Sequence, residues 1–173
     1  MSTAPVALRS FGHEDLPAIR QTLLDVHAGA YADEKDEPSY QRFPWLVDHW
    51  GGQPGFACVV GYDGDEPVGL AYGSPMPDGT EWWREHLAAP PADTSTFAVA
   101  ELMVVPRWRK TGTAARLHAA LVEDRPEALA VLLVDSDRPR VEALYATWGY
   151  SRIGERPMPD SPGSAVMLRR LRA

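Results

Sequence analysis

Arg109-Lys-Thr-Gly112-Thr-Ala114 is the stretch of this 173-residue chain whose residue types and spacing bear most directly on chemistry. It follows an apolar run, Glu101-Leu-Met-Val-Val105, and a stop at Pro106. It leads into Thr113-Ala-Ala-Arg-Leu-His-Ala-Ala-Leu-Val122, whose pattern is helical. The first amides of a helix have no partner inside it, and the helix dipole adds partial positive charge there. A glycine in the entry turn lets the main chain come close to a ligand, and Arg109 and Lys110 add full charges. The combination predicts an anion cradle suited to a phosphate or pyrophosphate. Neither the GxxxxGK[ST] spacing nor GxGxxG is present, which excludes two common phosphate loops.

Other reactive residue types are sparse. Cys58 is the single cysteine and sits in the apolar run Phe56-Ala-Cys-Val-Val60, so it reads as a buried thiol and no disulfide within the chain is possible. No His/Cys spacing suggests a metal, and no GxSxG elbow suggests a serine hydrolase. His118, between Leu117 and Leu121, reads as a surface or boundary residue, and His86 as a reserve base in an irregular segment. The net charge of −7 disfavours nucleic acid as a partner and mildly favours cationic substrates. No apolar run has the length of a membrane span, and the N-terminal residues lack a signal-peptide layout, so no membrane partner and a cytoplasmic location are expected.

The elements that must position the cradle follow from periodicity. Val6–Phe11 alternates as a first strand. A helix opens at Gly12–Pro17, with Leu16, Ile19, Leu23, Leu24 and His27 at helical spacing. Ala28–Ser39 reads as an acidic loop, and Tyr40–Trp50 as a second helix, in which Pro44 must lie in the first turn or interrupt it. After the breaker Gly51–Gly55, Phe56–Tyr62 and Val68–Ser74 read as a hairpin turned by Asp63-Gly-Asp65. Pro75–Thr96 is irregular, with a short helix expected over Glu81–Ala88. Then come a strand over Phe97–Val105, the cradle helix Thr113–Asp124, a strand over Ala130–Val134 buried on both faces, and a helix over Pro139–Trp148. Strands follow from Tyr150 and over Ala165–Leu171. This order predicts one α/β domain over residues 1–173, with a mixed, mostly antiparallel sheet, helices on both faces and a right-handed parallel crossover from Phe97 to Val134.

The cradle resembles the pyrophosphate loop of the GNAT superfamily of acyl-CoA-dependent N-acyltransferases, whose signature is Gln/Arg-x-x-Gly-x-Gly/Ala. Leu102, Val104 and Pro106 stand near the places of that family's Leu-x-Val-x-Pro strand. Leu144-Tyr145-Ala-Thr-Trp-Gly149-Tyr150 matches its Leu-Tyr-x-x-x-Gly-aromatic ending. Two positions depart from the pattern: Lys110 stands where a first glycine is common, and Arg138 where an asparagine is.

The resemblance implies a GNAT-like sheet in which the strand before the cradle splays from its parallel neighbour at a bulge. It implies acetyl-CoA as acyl donor, held by Met103, Val104, Val105, Arg109, Lys110, Thr111, Gly112, Thr113 and Ala114. Acyl transfer to an amine needs the amine deprotonated and positioned, the oxyanion stabilised and the departing thiolate protonated. By resemblance Tyr145 is the acid, Glu101 the base, directly or through a water, and the amide of Val104 or Val105 the oxyanion donor. The acceptor expected is a small-molecule amine. Tyr31, Trp45, Trp50, Tyr72, Trp82 and Trp83 are candidate walls of its cleft, and Asp33, Glu34, Asp36 and Glu37 form an acidic loop near the same end. A peptide amine acceptor and a non-catalytic acyl-CoA sensor are the alternatives. The chain is expected to be a monomer or a homodimer.

Overall fold

The turn at Gly64-Asp65 closes a two-residue hairpin in the computed structural model, which describes residues 5–158 and 163–172. Its arms are β2 (Ala57–Asp63) and β3 (Glu66–Pro75), with Asp63 paired to Glu66 and Ala57 to Gly73. On the outer side of β2, β1 (Ala7–Gly12) pairs antiparallel from Ala7↔Tyr62 to Gly12↔Ala57. Both hairpin strands read as predicted, because two largely apolar runs flank a glycine-containing turn.

The chain packs as two compact units: residues 1–74 with 100–124, and residues 75–99 with 125–173. The first unit carries strand order β1-β2-β3-β4 through the C-terminal half of β4 (Thr96–Val104). Its helices are α1 (Leu16–Ala30), α2 (Pro38–Gln41), α3 (Phe43–Gly51) and α4 (Thr113–Val122). They cover both faces of its sheet. Cys58, Val60, Leu70, Tyr72 and Met103 point to a core shared with Ile19, Leu23 and Val26 of α1 and Phe43 and Val47 of α3. On the other face α4 lays Leu117 over Gly61 and Gly69, where an added Cβ would come within 3.6 and 3.0 Å of it. Pro44 sits in the first turn of α3, where its missing N–H costs no helical bond. The chain from Ala28 to Ser39 is more helical than expected, since α1 runs on to Ala30 and a 3-10 turn follows at Ala32–Glu34.

In the second unit the order is β4-β5-β7-β6, with β5 (Leu129–Asp135), β6 (Ser151–Arg156) and β7 (Ser164–Arg170). β7 pairs antiparallel with both neighbours, and β4 pairs parallel with β5 through Thr96↔Leu129, Phe97↔Ala130 and Ala98↔Val131. The seven-stranded sheet is therefore mixed and mostly antiparallel, as predicted. The α5 helix (Pro139–Thr147) lies between β5 and β6 in the chain. Glu81–Ala88 forms turns rather than the expected helix. The Glu81 side chain accepts from the Gly79 amide and Arg84, and the Trp83 indole N–H reaches Thr96 Oγ1 at 2.8 Å. Such local side-chain bonds compete with a helix too short to sustain itself. Among the described residues no helix is long and apolar enough to cross a membrane.

Candidate functional site

Gly112 is the pivot of the cradle. It is the N-cap of α4, with φ 85° and ψ −1°, a left-handed conformation that glycine adopts without strain. A Cβ built on it would have no atom within 4 Å, so the space over the first turn of α4 is open. No side chain caps the helix, and its first turn holds no acidic residue. Its leading amides and dipole thus have neither a side-chain cap nor an acidic residue of that turn to satisfy them. Lys110, exposed, also takes a positive φ of 60°, so the loop uses two left-handed residues to turn into the helix. Successive left- and right-handed residues make a concave set of amides, which suits an anion. Thr111 Oγ1 bonds the Trp108 carbonyl and lies 2.8 Å from Thr113 Oγ1, which fixes the loop's shape. These residues suit an anion such as a pyrophosphate.

Arg109, expected as a phosphate contact, is exposed and held by two backbone carbonyls. Its Nε donates to the Val104 carbonyl at 3.1 Å, and one terminal nitrogen donates to the Ala30 carbonyl at 2.8 Å. The guanidinium ties the end of β4 to the C-terminal end of α1, where carbonyls carry partial negative charge. Arg107, which sequence reading did not single out, pairs with Glu66 at 2.9 Å and Asp63 at 3.3 Å at the hairpin turn.

Of the two expected oxyanion donors, Val105 gives its amide to Val68 O at 2.9 Å. Successive amides of a strand point to opposite edges. The Val104 amide therefore faces away from β3 and is the one that fits the role. Met103 is buried in the core of the first unit, with its side chain turned to the α1 face. Thr113 is buried, and Ala114 lies half-buried in the first turn of α4.

Glu101 is half-buried on β4, close enough to Tyr72 for its charge to act on the hydroxyl. Burial, and secondarily that charge, push the Tyr72 hydroxyl far above its ordinary range. His27, not proposed as a site residue, is buried in the same core, its ring stacked on Phe43 at 3.9 Å and beside Tyr31 and Tyr40. Burial lowers its pKa. It was legible only as an apolar-face position of α1. Of the rings around it, Tyr31 caps α1 itself, while Tyr40 and Phe43 come from α2 and α3, which no local pattern ties to α1. Tyr72 and Trp83 are wholly buried core, whereas Trp45 is exposed and stacks on His49 one helical turn on. His118 is buried, contrary to the boundary position expected of it. The inward stripe of α4 is broad, taking in Thr113, Leu117, His118, Leu121 and Val122. His118 follows Leu117 and precedes Val122 by one turn, so it falls on that face.

Tyr145 belongs to the second unit, half-buried on α5. Its ring meets Trp148 at 5.2 Å and Tyr150 at 5.8 Å, both edge to face. His86 is half-buried in the same unit, with its amide bonded to the Trp83 carbonyl.

Residues 17–150 match the model of a family described as the acetyltransferase (GNAT) family. The fold is similar to solved acetyltransferases. An aminoglycoside 6'-acetyltransferase type Ii is 18% identical with a TM-score of 0.68, over 96% of this chain and 98% of that one. A histone acetyltransferase HPA2 and related acetyltransferase from Corynebacterium glutamicum is 18% identical, TM-score 0.63, over 96% and 97%. The PaiA N-acetyltransferase of Thermoplasma acidophilum, solved with coenzyme A, is 12% identical, TM-score 0.59, over 98% and 99%. A comparison with curated protein sequences finds no match.

Proposed function

The chain belongs to the acetyltransferase (GNAT) family, and from that premise we propose that it moves the acetyl group of acetyl-CoA to a primary amine of a small molecule. The observation that carries the proposal is the open, uncapped N-terminus of α4 behind Gly112, a fit for phosphate oxygens. The thioester supplies an activated acyl carbon. In the reaction the amine nitrogen attacks that carbon, a C–N bond forms and the C–S bond breaks. One proton leaves the nitrogen and one goes to the thiolate, so acid and base work in opposite directions. In our reading Glu101 takes the amine proton, the Val104 amide donates to the oxyanion, and Tyr145 protonates the thiolate. Gly112, Thr113 and Ala114 hold the pyrophosphate with Lys110. Arg109 shapes that loop.

An acceptor that carries a cation is favoured by the acidic chain. Titration calorimetry with acetyl-CoA, followed by a thiol-release assay over small amines and over peptides, tests the proposal. Binding with release on small primary amines is expected. Release only on peptides would move the acceptor class. Binding without release on any amine would favour a sensor, and no binding would remove the acyltransferase reading.

A further inference from the structure

The Tyr72 hydroxyl is buried and has no hydrogen-bond partner among the described residues. Its ring is 0% exposed and flanked by Phe43 at 6.3 Å and Phe56 at 5.6 Å, so the hydroxyl cannot swing to solvent. A buried polar group without a partner costs free energy that phenylalanine would avoid at the same place. A hydroxyl kept there points to a polar partner in the working protein.

What lies beside it is Glu101. Ala100 and Met103 both pack on the core of the first unit although they are three residues apart. Strict alternation would send them to opposite faces. Between the Val105 amide's bond to the Val68 carbonyl and the Met76 amide's bond to the Thr96 carbonyl, β4 has one residue more than β3, and such a bulge re-aims the side chains within it. Glu101 falls in this interval, where antiparallel register counted from the Val105 amide's bond to the Val68 carbonyl sets it opposite Tyr72, and its charge acts on the Tyr72 hydroxyl.

We propose that Tyr72 is a positioning residue for Glu101, its hydroxyl donating through one bridging water to the Glu101 carboxylate so that the carboxylate stays ionised and aimed at the acceptor. The inference rests on Glu101 as the base of the proposed reaction. Tyr72 itself keeps its proton, because burial and the neighbouring charge both oppose its ionisation. A buried water needs two or more polar partners, and a phenol with a carboxylate supplies them. The other titratable groups turned to this core are His27 of α1, Tyr31 just after it, Cys58 and Tyr62 from β2, and Tyr40 of α2 against His27. Asp48 and His49 of α3 are exposed. Burial lowers the pKa of His27 and raises that of Cys58, so both stay neutral near neutral pH.

The test needs no acceptor. Side-chain carboxyls of 13C-labelled glutamate are titrated by NMR, and the Glu101 signal is the one missing from Glu101→Gln. In Tyr72→Phe, which keeps the ring, the Glu101 midpoint should rise by about half a unit or more, because a carboxylate that loses a donor holds its proton to higher pH. Equal midpoints in parent and variant, or a lower one in the variant, would overturn the proposal. Once an acceptor is in hand, the acidic limb of kcat/KM should shift the same way in Tyr72→Phe, and adding that change to Glu101→Gln should cost no further rate. A uniform loss at all pH values would overturn it, as a packing role predicts that instead. CoA titration of the same samples reads the acyltransferase proposal separately.

Discussion

The Tyr150 amide closes the last turn of α5 on the Tyr145 carbonyl at 3.2 Å, and the two rings meet edge to face at 5.8 Å. Gly149, at φ 93°, makes the closure possible, and its own amide reaches the Ala146 carbonyl at 3.2 Å. These are the two bonds of a left-handed glycine cap, with the ring contact that accompanies it. The Leu-Tyr-x-x-x-Gly-aromatic spacing thus has a structural reason. The glycine reverses the helix, and the aromatic residue after it packs on the tyrosine one turn back. Gly149→Ala should lower stability by about 1 kcal/mol, since a side chain at positive φ is strained by roughly that amount. Denaturant unfolding measures it. No loss would mean that the turn relaxes, and the ring contact would then be the test of what holds Tyr145.

Tyr145→Phe keeps that ring contact and removes the hydroxyl. If the hydroxyl protonates the thiolate, turnover should fall about 10²–10⁴-fold, the usual contribution of a general acid. Affinity for CoA should change little. Steady-state kinetics with acetyl-CoA and an acceptor, beside a CoA titration, give both numbers. Unchanged turnover would leave Tyr145 as part of the α5 cap alone.

Legibility in the sequence followed the range of the interactions. The hairpin at Gly64-Asp65, the N-terminal proline of α5 and the entry to α4 at Gly112 are fixed by residues a few positions apart, and all were readable, whereas the helix expected over Tyr40–Trp50 breaks between α2 and α3 just before Pro44. Long-range pairing was not. The Arg109 guanidinium bonds the Ala30 carbonyl, 79 positions away, and nothing near Arg109 announces it. The Val105 amide looked as available as that of Val104 until its bond to Val68 placed it in the sheet. His118 was misread because a helix stripe wide enough to bury neighbours 117 and 118 together depends on what packs over it.

Gly112→Asp tests the cradle. Any side chain there meets the strain of φ 85°, and a carboxylate would add negative charge where phosphate oxygens should approach bare amides. An added Cβ meets no atom within 4 Å beyond its chain neighbours. The variant should fold, with affinity for CoA reduced more than about tenfold. Calorimetry measures the affinity and circular dichroism the fold. A folded variant with parental affinity would remove the phosphate role of this loop.

His27 makes stability depend on pH in a direction that its surroundings fix. Burial lowers its pKa in the folded protein, while in the unfolded chain it titrates near the ordinary histidine value of about 6.5. Between those two values the unfolded chain binds more protons than the folded one, so stability rises with pH there and is lost as pH falls below about 6.5. Once protonated, the ring would also carry charge against Phe43, Tyr31 and Tyr40 in the buried cluster, with Phe43 stacked at 3.9 Å. His27→Phe keeps a stacked ring and cannot titrate. Its stability should fall less steeply than the parent's between about pH 6.5 and 5, with the two curves converging in slope above neutrality. Urea unfolding at half-unit steps of pH resolves the difference. Parallel curves across that interval would mean that His27 is protonated equally in both states, and that the acid sensitivity lies with the carboxylates.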